Sequence, residues 1–513
     1  MADKEVTPPA AATAAAVPAS RASFFPRLTL VQWFVRLIPA MIFGIYAYSK
    51  RGPFLPPTCA SLGVNCPQAP LHLEGILERP DHYGQVINYY ASLFAKNEDL
   101  GGSFAVLVDG HQVIDVYAGA KDLARTVVYD NRTLQQVYSS GKVVEGIVIA
   151  RLVEQGRLDY EKRIADYWPE FAQNGKEDVR LVDLMTHESG VPFLDNEDKA
   201  EMYLWPHLAD EEKFSDRLAR QPHLFNGEKT RAYHAITRGW YLNEIVRRVD
   251  SKGRTIGQIA EQDLMVDYPD IELYYSKLPK DSDWEERLSV MHDYPLLRTV
   301  GRLLVPRFIQ TNKYFGHPNI LPLGNMFKSL VLGQFSGQGL PSLTMLPKFA
   351  PWAHDFRTKE VHAIESTSFS LKTNAHSLAK LMSMMANKGS SIRPGQEPDL
   401  MSTETYAKAT AFHAQKPDEV VGETLPLSVG GWVKTRNFYG DGPLKDIEVQ
   451  GWSGAGGSLC VWIEELNIGF AYVTNAFGPP ETTLGDYRSR ILLDRVAYAR
   501  KDELGLLQKA TKK

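Results

Sequence analysis

The segment that decides the fold reads Val137-Tyr138-Ser139-Ser140-Gly141-Lys142-Val143-Val144-Glu145-Gly146, and it begins an apolar run that ends near Leu152. Ser139 and Lys142 are three residues apart, which is almost one turn of an α-helix. If a helix begins here, the two side chains lie on the same face. A lysine whose pKa is lowered by burial can take the proton of a serine hydroxyl. The spacing therefore predicts a nucleophile with a nearby base.

The same Ser-x-x-Lys spacing occurs a second time, at Ser377 and Lys380. Leu378, Leu381 and Met382 recur around it with helical periodicity, which is typical of a helix that packs one face on a core. We therefore expect this second copy to be structural. The choice of Ser139 depends on further motifs along the chain.

Length and composition restrict the class of protein. The chain has 513 residues, with 44% hydrophobic and 23% charged residues, which suits a globular protein with a large core. The net charge is −4 and the sequence has no basic run, so no nucleic-acid partner is predicted. Cys59 and Cys66 lie close together and Cys460 is distant, without the spacing of a zinc site. No metal or cofactor is predicted, and a Cys59–Cys66 disulfide or two free thiols both remain open.

The N-terminal part of the sequence differs from the rest. Residues 1–27 are rich in small residues and proline and are predicted to be a disordered tail. Residues 28–48 are mostly apolar and long enough to cross a bilayer, so they are predicted to be a single-pass membrane anchor. Arginines before the most apolar part favour a catalytic domain on the non-cytosolic side, with mitochondrial targeting as the alternative. A Pro-rich linker, 49–74, then leads to the main domain, 75–505.

The main domain is predicted to be α+β, with strands at both ends and helices between them. Asp109-Gly110 separates two strand-like runs and predicts a hairpin. Near the other end, apolar runs alternate with glycines at 429–433, 447–451, 458–463 and 468–473, which predicts antiparallel strands. The terminal strands would share one sheet and the helices would form a separate layer. Residues 255–365 show no clear motif and are interpreted as an insertion.

Four motifs occur in the order expected of the serine beta-lactamase-like superfamily, which includes class C beta-lactamases, related esterases and penicillin-binding proteins. The first is the Ser139–Lys142 pair. The second, at 181–191, reads Leu-Val-Asp-Leu-Met-Thr-His-Glu-Ser-Gly-Val and resembles the segment Leu-Leu-Thr-His-Thr-Ser-Gly-Leu of that superfamily. The third is Tyr233-His234-Ala235, in the place of Tyr-x-Asn. The fourth, at 451–458, reads Gly-Trp-Ser-Gly-Ala-Gly-Gly-Ser and resembles Gly-His-Ser-Gly-Ala-Gly-Gly-Ser. The chain looks closest to the animal serine beta-lactamase-like proteins.

The resemblance implies the beta-lactamase/transpeptidase-like fold and a set of roles. Ser139 would attack a carbonyl and form an acyl-enzyme, and either Lys142 or Tyr233 would act as the base. The backbone N–H groups of Ser139 and Ala455 would form the oxyanion hole. Three further residues of the fourth motif would line the substrate site: Trp452, Ser453 and Gly454. In the superfamily, the position of His187 is structural.

Two departures from the pattern bear on the substrate. Ala235 stands where the motif has Asn, and Trp452 stands where it has a basic residue. The sequence therefore lacks an amide and a charge that would hold a penicillin-like substrate. We expect a serine hydrolase that acts on a neutral ester or amide, an esterase or peptidase rather than an antibiotic-degrading beta-lactamase. The predicted partner is a small-molecule or peptide substrate. The alternative is a catalytically degenerate scaffold of the same fold that self-associates.

Overall fold

The computed structural model describes residues 30–56, 58–59, 64–67, 70–194, 211–275, 284–293, 344, 365–436, 438, 442–478 and 484–507. The chain divides into two compact units, residues 1–53 and 54–513. The predicted tail, 1–27, and most of the predicted insertion, 255–365, lie outside the described residues.

The described part of the first unit is one helix, α1, Leu30–Arg51, with Pro39 inside it. Its large apolar side chains include Met41, Ile42 and Phe43, which are exposed. Among the residues that the structure describes, none of the helices has both the length and the apolar character needed to cross a membrane. The membrane anchor predicted over 28–48 therefore receives no support.

The second unit is built on one antiparallel sheet of nine strands within the described residues. Its order is β1-β3-β2-β13-β12-β11-β10-β9-β8. These strands are β1 Leu73–Leu77, β2 Gly101–Val108, β3 His111–Gly119, β8 Phe412–Pro417, β9 Thr424–Ser428, β10 Val433–Thr435, β11 Val449–Ser453, β12 Leu459–Ile463 and β13 Ile468–Thr474. The pairing of β2 with β13 joins early and late parts of the chain, so the prediction that they share one sheet is confirmed.

Short strands form two further sheets in the described residues. β4, Leu134–Gln136, lies between β5, Leu288–Ser289, and β7, Lys372–Thr373. β6, His292–Asp293, pairs with β14, Ala476–Phe477. β4 ends at the residue before Val137, so the small three-stranded sheet places the start of the Ser139 segment.

The helices of the second unit lie between and after the strands of the main sheet. They are α2 Pro80–Ala95, α3 Lys142–Glu154, α4 Leu181–Met185, α5 Glu211–Arg220, α6 Thr237–Val249, α7 Ile256–Ile259, α8 Met265–Asp267, α9 Trp284–Arg287, α10 Ala375–Ala386, α11 Thr403–Thr410 and α12 Tyr487–Glu503. A π-helical turn, Ala260–Leu264, joins α7 to α8. Residues 142–150 of α3 are all buried, which is typical of a helix surrounded by protein on every side.

Helices cover both faces of the main sheet. On one face Tyr90 of α2 packs against Phe104 of β2, with ring centroids 5.5 Å apart. Side chains alternate between faces along a strand, so Ser103 points to the opposite face. There its hydroxyl accepts a hydrogen bond of 3.1 Å from the backbone N–H of Ala375, at the start of α10. The α+β class, with a large antiparallel sheet and helices packed on it, is therefore confirmed, and the helices cover both faces of the sheet.

Local predictions were mostly correct, with one clear error. Asp109 and Gly110 both have positive φ, 53° and 76°, and connect β2 to β3 as the predicted hairpin. The predicted strand 429–433 is wrong, because Gly431 has φ 79° and its N–H donates to Ser428 O at 2.9 Å. This glycine turn ends β9 and returns the chain as β10. The structure also closes the open question on the cysteines, since Cys59 and Cys66 form a disulfide.

Candidate active site

The Ser139 segment forms a tight turn before the central helix. Tyr138–Gly141 is one 3₁₀ turn, and α3 begins at Lys142, so Ser139 precedes the helix on which it was expected. Tyr138 adopts φ 49°, an uncommon value for a non-glycine residue that is often found at functional sites. Ser139 is half-buried, and the preceding Val137 N–H donates to Leu371 O at 3.0 Å.

Lys142 is fully buried and has three neighbours around its amine. Its Nζ lies 3.2 Å from Ser139 Oγ, 2.9 Å from the carbonyl oxygen of Ala235 and 2.8 Å from that of Ser368. A neutral amine has two N–H groups and one lone pair. The two carbonyls can accept its two N–H bonds, which leaves the lone pair for the Ser139 hydroxyl.

The electrostatics favour this neutral form of Lys142. Burial lowers the pKa of Lys142 well below its usual range, because the charged form loses its hydration. The guanidinium of Arg238 lowers this pKa further, and the carboxylate of Glu145 opposes both effects. Lys142 therefore has the properties required of a base near neutral pH.

Tyr233 approaches the same serine from the other side. Its phenol donates a hydrogen bond of 2.7 Å to Ser139 Oγ. Burial raises the pKa of Tyr233 to about 12, although hydrogen bonds with Ser139 and Trp452 and the charge of Arg238 act in the opposite direction. The phenol therefore keeps its proton near neutral pH, so Tyr233 is suited to act as an acid rather than as the base.

Aromatic rings fix the position of Tyr233. The Trp452 indole stacks on it with centroids 5.7 Å apart, and His187 meets it edge-on at 4.9 Å. His187 is fully buried, and its Nδ1 accepts a hydrogen bond from the His234 N–H. Burial, followed by the charge of Arg238, holds the pKa of His187 well below its usual range. His187 is thus a neutral packing group, and Trp452 forms a wall beside Tyr233.

The turn after β11 packs directly against the Ser139 segment. A Cβ at Gly454 would lie 1.9 Å from the carbonyl oxygen of Val137, so any larger residue would push the two segments apart. Ser458 Oγ donates to the same oxygen at 2.9 Å and lies 3.0 Å from Ser140 Oγ. Ser453 is buried at the end of β11, and Ala455 is exposed in the turn. The structure thus brings the fourth motif beside the serine, while the oxyanion role of the Ala455 N–H stays a prediction.

The sequence analysis did not predict a buried ion pair next to the site, between Glu145 of α3 and Arg238 of α6. Arg238 Nε donates to Glu145 Oε1, and both side chains are fully buried. The other carboxylate oxygen accepts from Thr367 Oγ1 at 2.6 Å. The available signal was a charge inside or beside an apolar run, Glu145 in α3 and Arg238 at the start of α6, because a buried charge requires a partner. The Ser368 carbonyl, which contacts Lys142, had no such signal.

The second Ser-x-x-Lys copy is structural, as expected. Ser377 Oγ accepts a hydrogen bond of 2.8 Å from the N–H of Glu272 and donates to Asn374 Oδ1. Lys380 forms ion pairs with Asp270 and Glu397 instead of approaching the serine as a base.

Comparison with known proteins places this arrangement in a family. Residues 90–494, well over half of the sequence, match the family described as "Beta-lactamase". The chain belongs to the beta-lactamase family. This assignment agrees with the resemblance seen in the four motifs and with the sheet and helix layers described above.

Curated relatives match parts of the chain. "Esterase/beta-lactamase LipL" of Mycobacterium tuberculosis is 35% identical over 167 residues, which are 33% of this chain and 37% of that protein. "N-acetylmuramyl-L-alanine amidase" of Bacillus subtilis is 31% identical over 83 residues, 15% of this chain and 19% of that protein. The match spans less than two fifths of the length of either relative.

Solved structures match far more of the chain. A penicillin-binding protein homologue from Caulobacter crescentus has a TM-score of 0.64 and 26% identity, and the match covers 83% of this chain and 100% of that one. A family VIII carboxylesterase has a TM-score of 0.63 and 24% identity, with coverage of 84% and 100%, and this likeness shows the fold.

Proposed function

We propose that this protein is a serine hydrolase that cleaves a neutral ester or amide through an acyl-enzyme on Ser139. The observation that carries the proposal is the double approach to Ser139 Oγ, by Tyr233 at 2.7 Å and by Lys142 at 3.2 Å. Each distance is compatible with proton transfer in a reacting complex. Membership of the beta-lactamase family supports the same chemistry, and the name of the mycobacterial relative favours esters.

In the proposed reaction Ser139 Oγ attacks the carbonyl carbon and its proton passes to the neutral Lys142 amine. The tetrahedral oxyanion then collapses and the bond from carbon to the leaving group breaks. The leaving group takes the proton of the Tyr233 phenol, and the phenolate regains one from the Lys142 ammonium. Water next attacks the acyl carbon and gives a proton to Lys142. The bond from the acyl carbon to Ser139 Oγ then breaks, Oγ takes back a proton from the Lys142 ammonium, and the acid product leaves.

The proposed substrate is neutral on the side that faces Trp452. This side chain is buried against Tyr233, so it brings no charge to the place where the fourth motif commonly has a basic residue. A carboxylate brought against it would lose its hydration without gaining a charge partner there. Neutral small-molecule esters and short peptides are therefore the proposed substrates.

Labelling of the full-length chain with a fluorophosphonate, followed by peptide mass mapping, tests the proposal. We expect one adduct on Ser139 that is lost in Ser139→Ala and strongly slowed in Lys142→Ala. Ser377→Ala is the matched control, because it removes the serine of the second Ser-x-x-Lys copy, and it should label like the wild type. A folded protein that takes no adduct would rule out the proposal and leave the scaffold alternative. An adduct found only at another residue would rule out Ser139 as the nucleophile.

A further inference from the structure

One buried arginine holds the turn of the fourth motif from behind. Arg488, near the start of α12, is fully buried. Its Nη2 donates to the carbonyl oxygen of Gly456 at 2.7 Å and to that of Ala476 at 3.0 Å. The Gly456 oxygen also accepts the N–H of Gly478 at 3.0 Å. Gly456 directly follows Ala455, whose N–H is the predicted oxyanion donor.

The guanidinium is itself held in place by two carboxylates. Nη2 lies 2.6 Å from Asp486 Oδ2, and Nη1 lies 3.5 Å from Asp99 Oδ1. Asp486 also caps α12, because its other oxygen accepts the N–H of Arg488 at 2.9 Å and that of Ser489. A buried arginine is tolerated when its charge is compensated in this way. The position of the guanidinium is therefore set by Asp486 at the start of α12 and by Asp99, which lies just before β2 of the sheet.

The turn is closed by one hydrogen bond within residues 454–457, from the Gly457 N–H to Gly454 O at 3.1 Å. Gly456 and Gly457 have φ of 90° and 113°, values that glycine adopts freely and other residues rarely do. On the other side of Ala455, Gly454 is bound by its N–H to Ser458 O at 2.9 Å and packs on Val137. The Ala455 peptide therefore lies between one anchor on the Ser139 segment and a second anchor on Arg488.

We infer that Arg488 is a positioning residue for the hydrolytic reaction, holding the 454–457 turn so that the Ala455 N–H meets the developing oxyanion. The inference rests on the proposed function. Oxyanion-hole donors act only if they are placed before the reaction, because reorganisation during the reaction would remove their advantage. A glycine-rich turn without the Arg488 contact would sample other peptide orientations.

The test is Arg488→Lys in the full-length chain, assayed with an oxygen ester and the matching thionoester. Lysine keeps the charge but lacks the planar fork that reaches two carbonyls and a carboxylate together. The thiono sulfur accepts hydrogen bonds poorly, so its hydrolysis depends less on the oxyanion hole. Per titrated active site, kcat/KM for the oxygen ester should fall by about 10- to 100-fold. The kcat/KM for the oxygen ester divided by that for the thionoester (the rate ratio) should fall as well. The midpoint of the rise of kcat/KM with pH should stay unchanged, because the substitution does not touch Lys142.

Arg500→Lys is the matched control. Arg500 is buried at the other end of α12 and donates to Leu466 O, far along the helix from the turn. The Arg500→Lys variant should have a lower midpoint of unfolding than the wild type and the same rate ratio. If Arg488→Lys does not fold, Gly478→Ala replaces it. The added Cβ would lie 2.6 Å from Arg488 Nη2, which displaces the tip of the guanidinium without removing its charge.

The outcomes separate the two proposals. A wild-type chain that neither labels nor turns over an ester overturns the proposed function. An active wild type whose rate ratio is unchanged in Arg488→Lys or in Gly478→Ala overturns the positioning role alone. A lower ratio in these variants, with the wild-type ratio in Arg500→Lys, supports it.

Discussion

Replacement of Glu145 by Gln removes the carboxylate charge below the proposed active site with almost no change in shape. In the wild type one carboxylate oxygen accepts from Arg238 and the other from Thr367. A glutamine can keep its oxygen towards Arg238 and donate its N–H to the Thr367 hydroxyl, which can act as an acceptor. The substitution therefore isolates the loss of charge from the loss of hydrogen bonds.

The expected cost to stability follows from burial. Both Glu145 and Arg238 have no exposed side-chain surface, and the guanidinium would keep only neutral acceptors such as Met185 O at 2.9 Å. Loss of one partner of a buried ion pair typically costs about 3–5 kcal/mol. Because the hydrogen bonds can be kept, we expect about 3 kcal/mol, at the lower end of this range.

The same change should shift the pH dependence of activity. The Glu145 carboxylate raises the pKa of Lys142, so its removal lowers that pKa further. The proposed base is active when deprotonated, and kcat/KM rises with pH through the pKa of Lys142. The rising limb should therefore move to lower pH in Glu145→Gln. Near pH 12, where Tyr233 titrates, activity should fall again in both proteins.

Urea unfolding of the full-length proteins and pH–rate profiles with a neutral ester measure the two effects. Asp166→Asn is the control, because Asp166 forms an exposed ion pair of 2.9 Å with Arg163 and should cost less than about 1 kcal/mol. A loss below about 1 kcal/mol in Glu145→Gln would show that the buried pair adds no more than an exposed one. A rising limb that moves to higher pH would refute the account of Lys142.

Tyr233→Phe should lower kcat by about 10²- to 10⁴-fold in steady-state assays, because it removes the proposed acid. The free energy of unfolding should change by only about 1 kcal/mol, because the ring stays packed. An unchanged kcat would argue against the role of Tyr233 as the acid. Gly454→Ala should lower both activity and the unfolding midpoint, since its Cβ would meet Val137 O at 1.9 Å, and a crystal structure with an unmoved turn would contradict this. Burial lowers the pKa of His376, but hydrogen bonds to the carboxylates of Asp115 and Asp270 outweigh this effect and raise the pKa to about 9. The contribution of His376 to stability is therefore fully present below pH 6.5 and is lost as the pH rises through about 9. His376→Gln should therefore be less stable than the wild type below pH 6.5, and urea titrations should find a smaller difference above pH 9.

Much of the fold was predictable because its signals are local. The Asp109-Gly110 turn needs only two residues with positive φ, and a helix that is apolar on nearly every side, such as α3, is expected to be buried. That the early and late strands share one sheet followed from the strand-like runs at both ends of the domain. The strand predicted at 429–433 failed because its apolar residues flank Gly431, where a turn satisfies the backbone better than a longer strand.

The geometry of the candidate site was predictable where a side-chain motif marks it and not where backbone atoms make the contacts. Ser139, Lys142 and Tyr233 have side chains whose types and order carry information, and the structure brings them together. The carbonyl of Ser368 holds Lys142 through an atom that every residue possesses. The contact of Arg488 with the turn is similar, because its target there, Gly456 O, is a backbone oxygen hundreds of positions from Ser139.

The pairing of β2 with β13 has a consequence for synthesis on the ribosome. Val108 of β2 pairs with Ile468 of β13, so the hairpin formed early has no partner on that edge until a strand made hundreds of residues later emerges. Closing so long a loop is entropically costly, and folds dominated by distant contacts form slowly. Until then an apolar strand edge stays open to other nascent chains, so we expect this protein to need chaperone protection during translation.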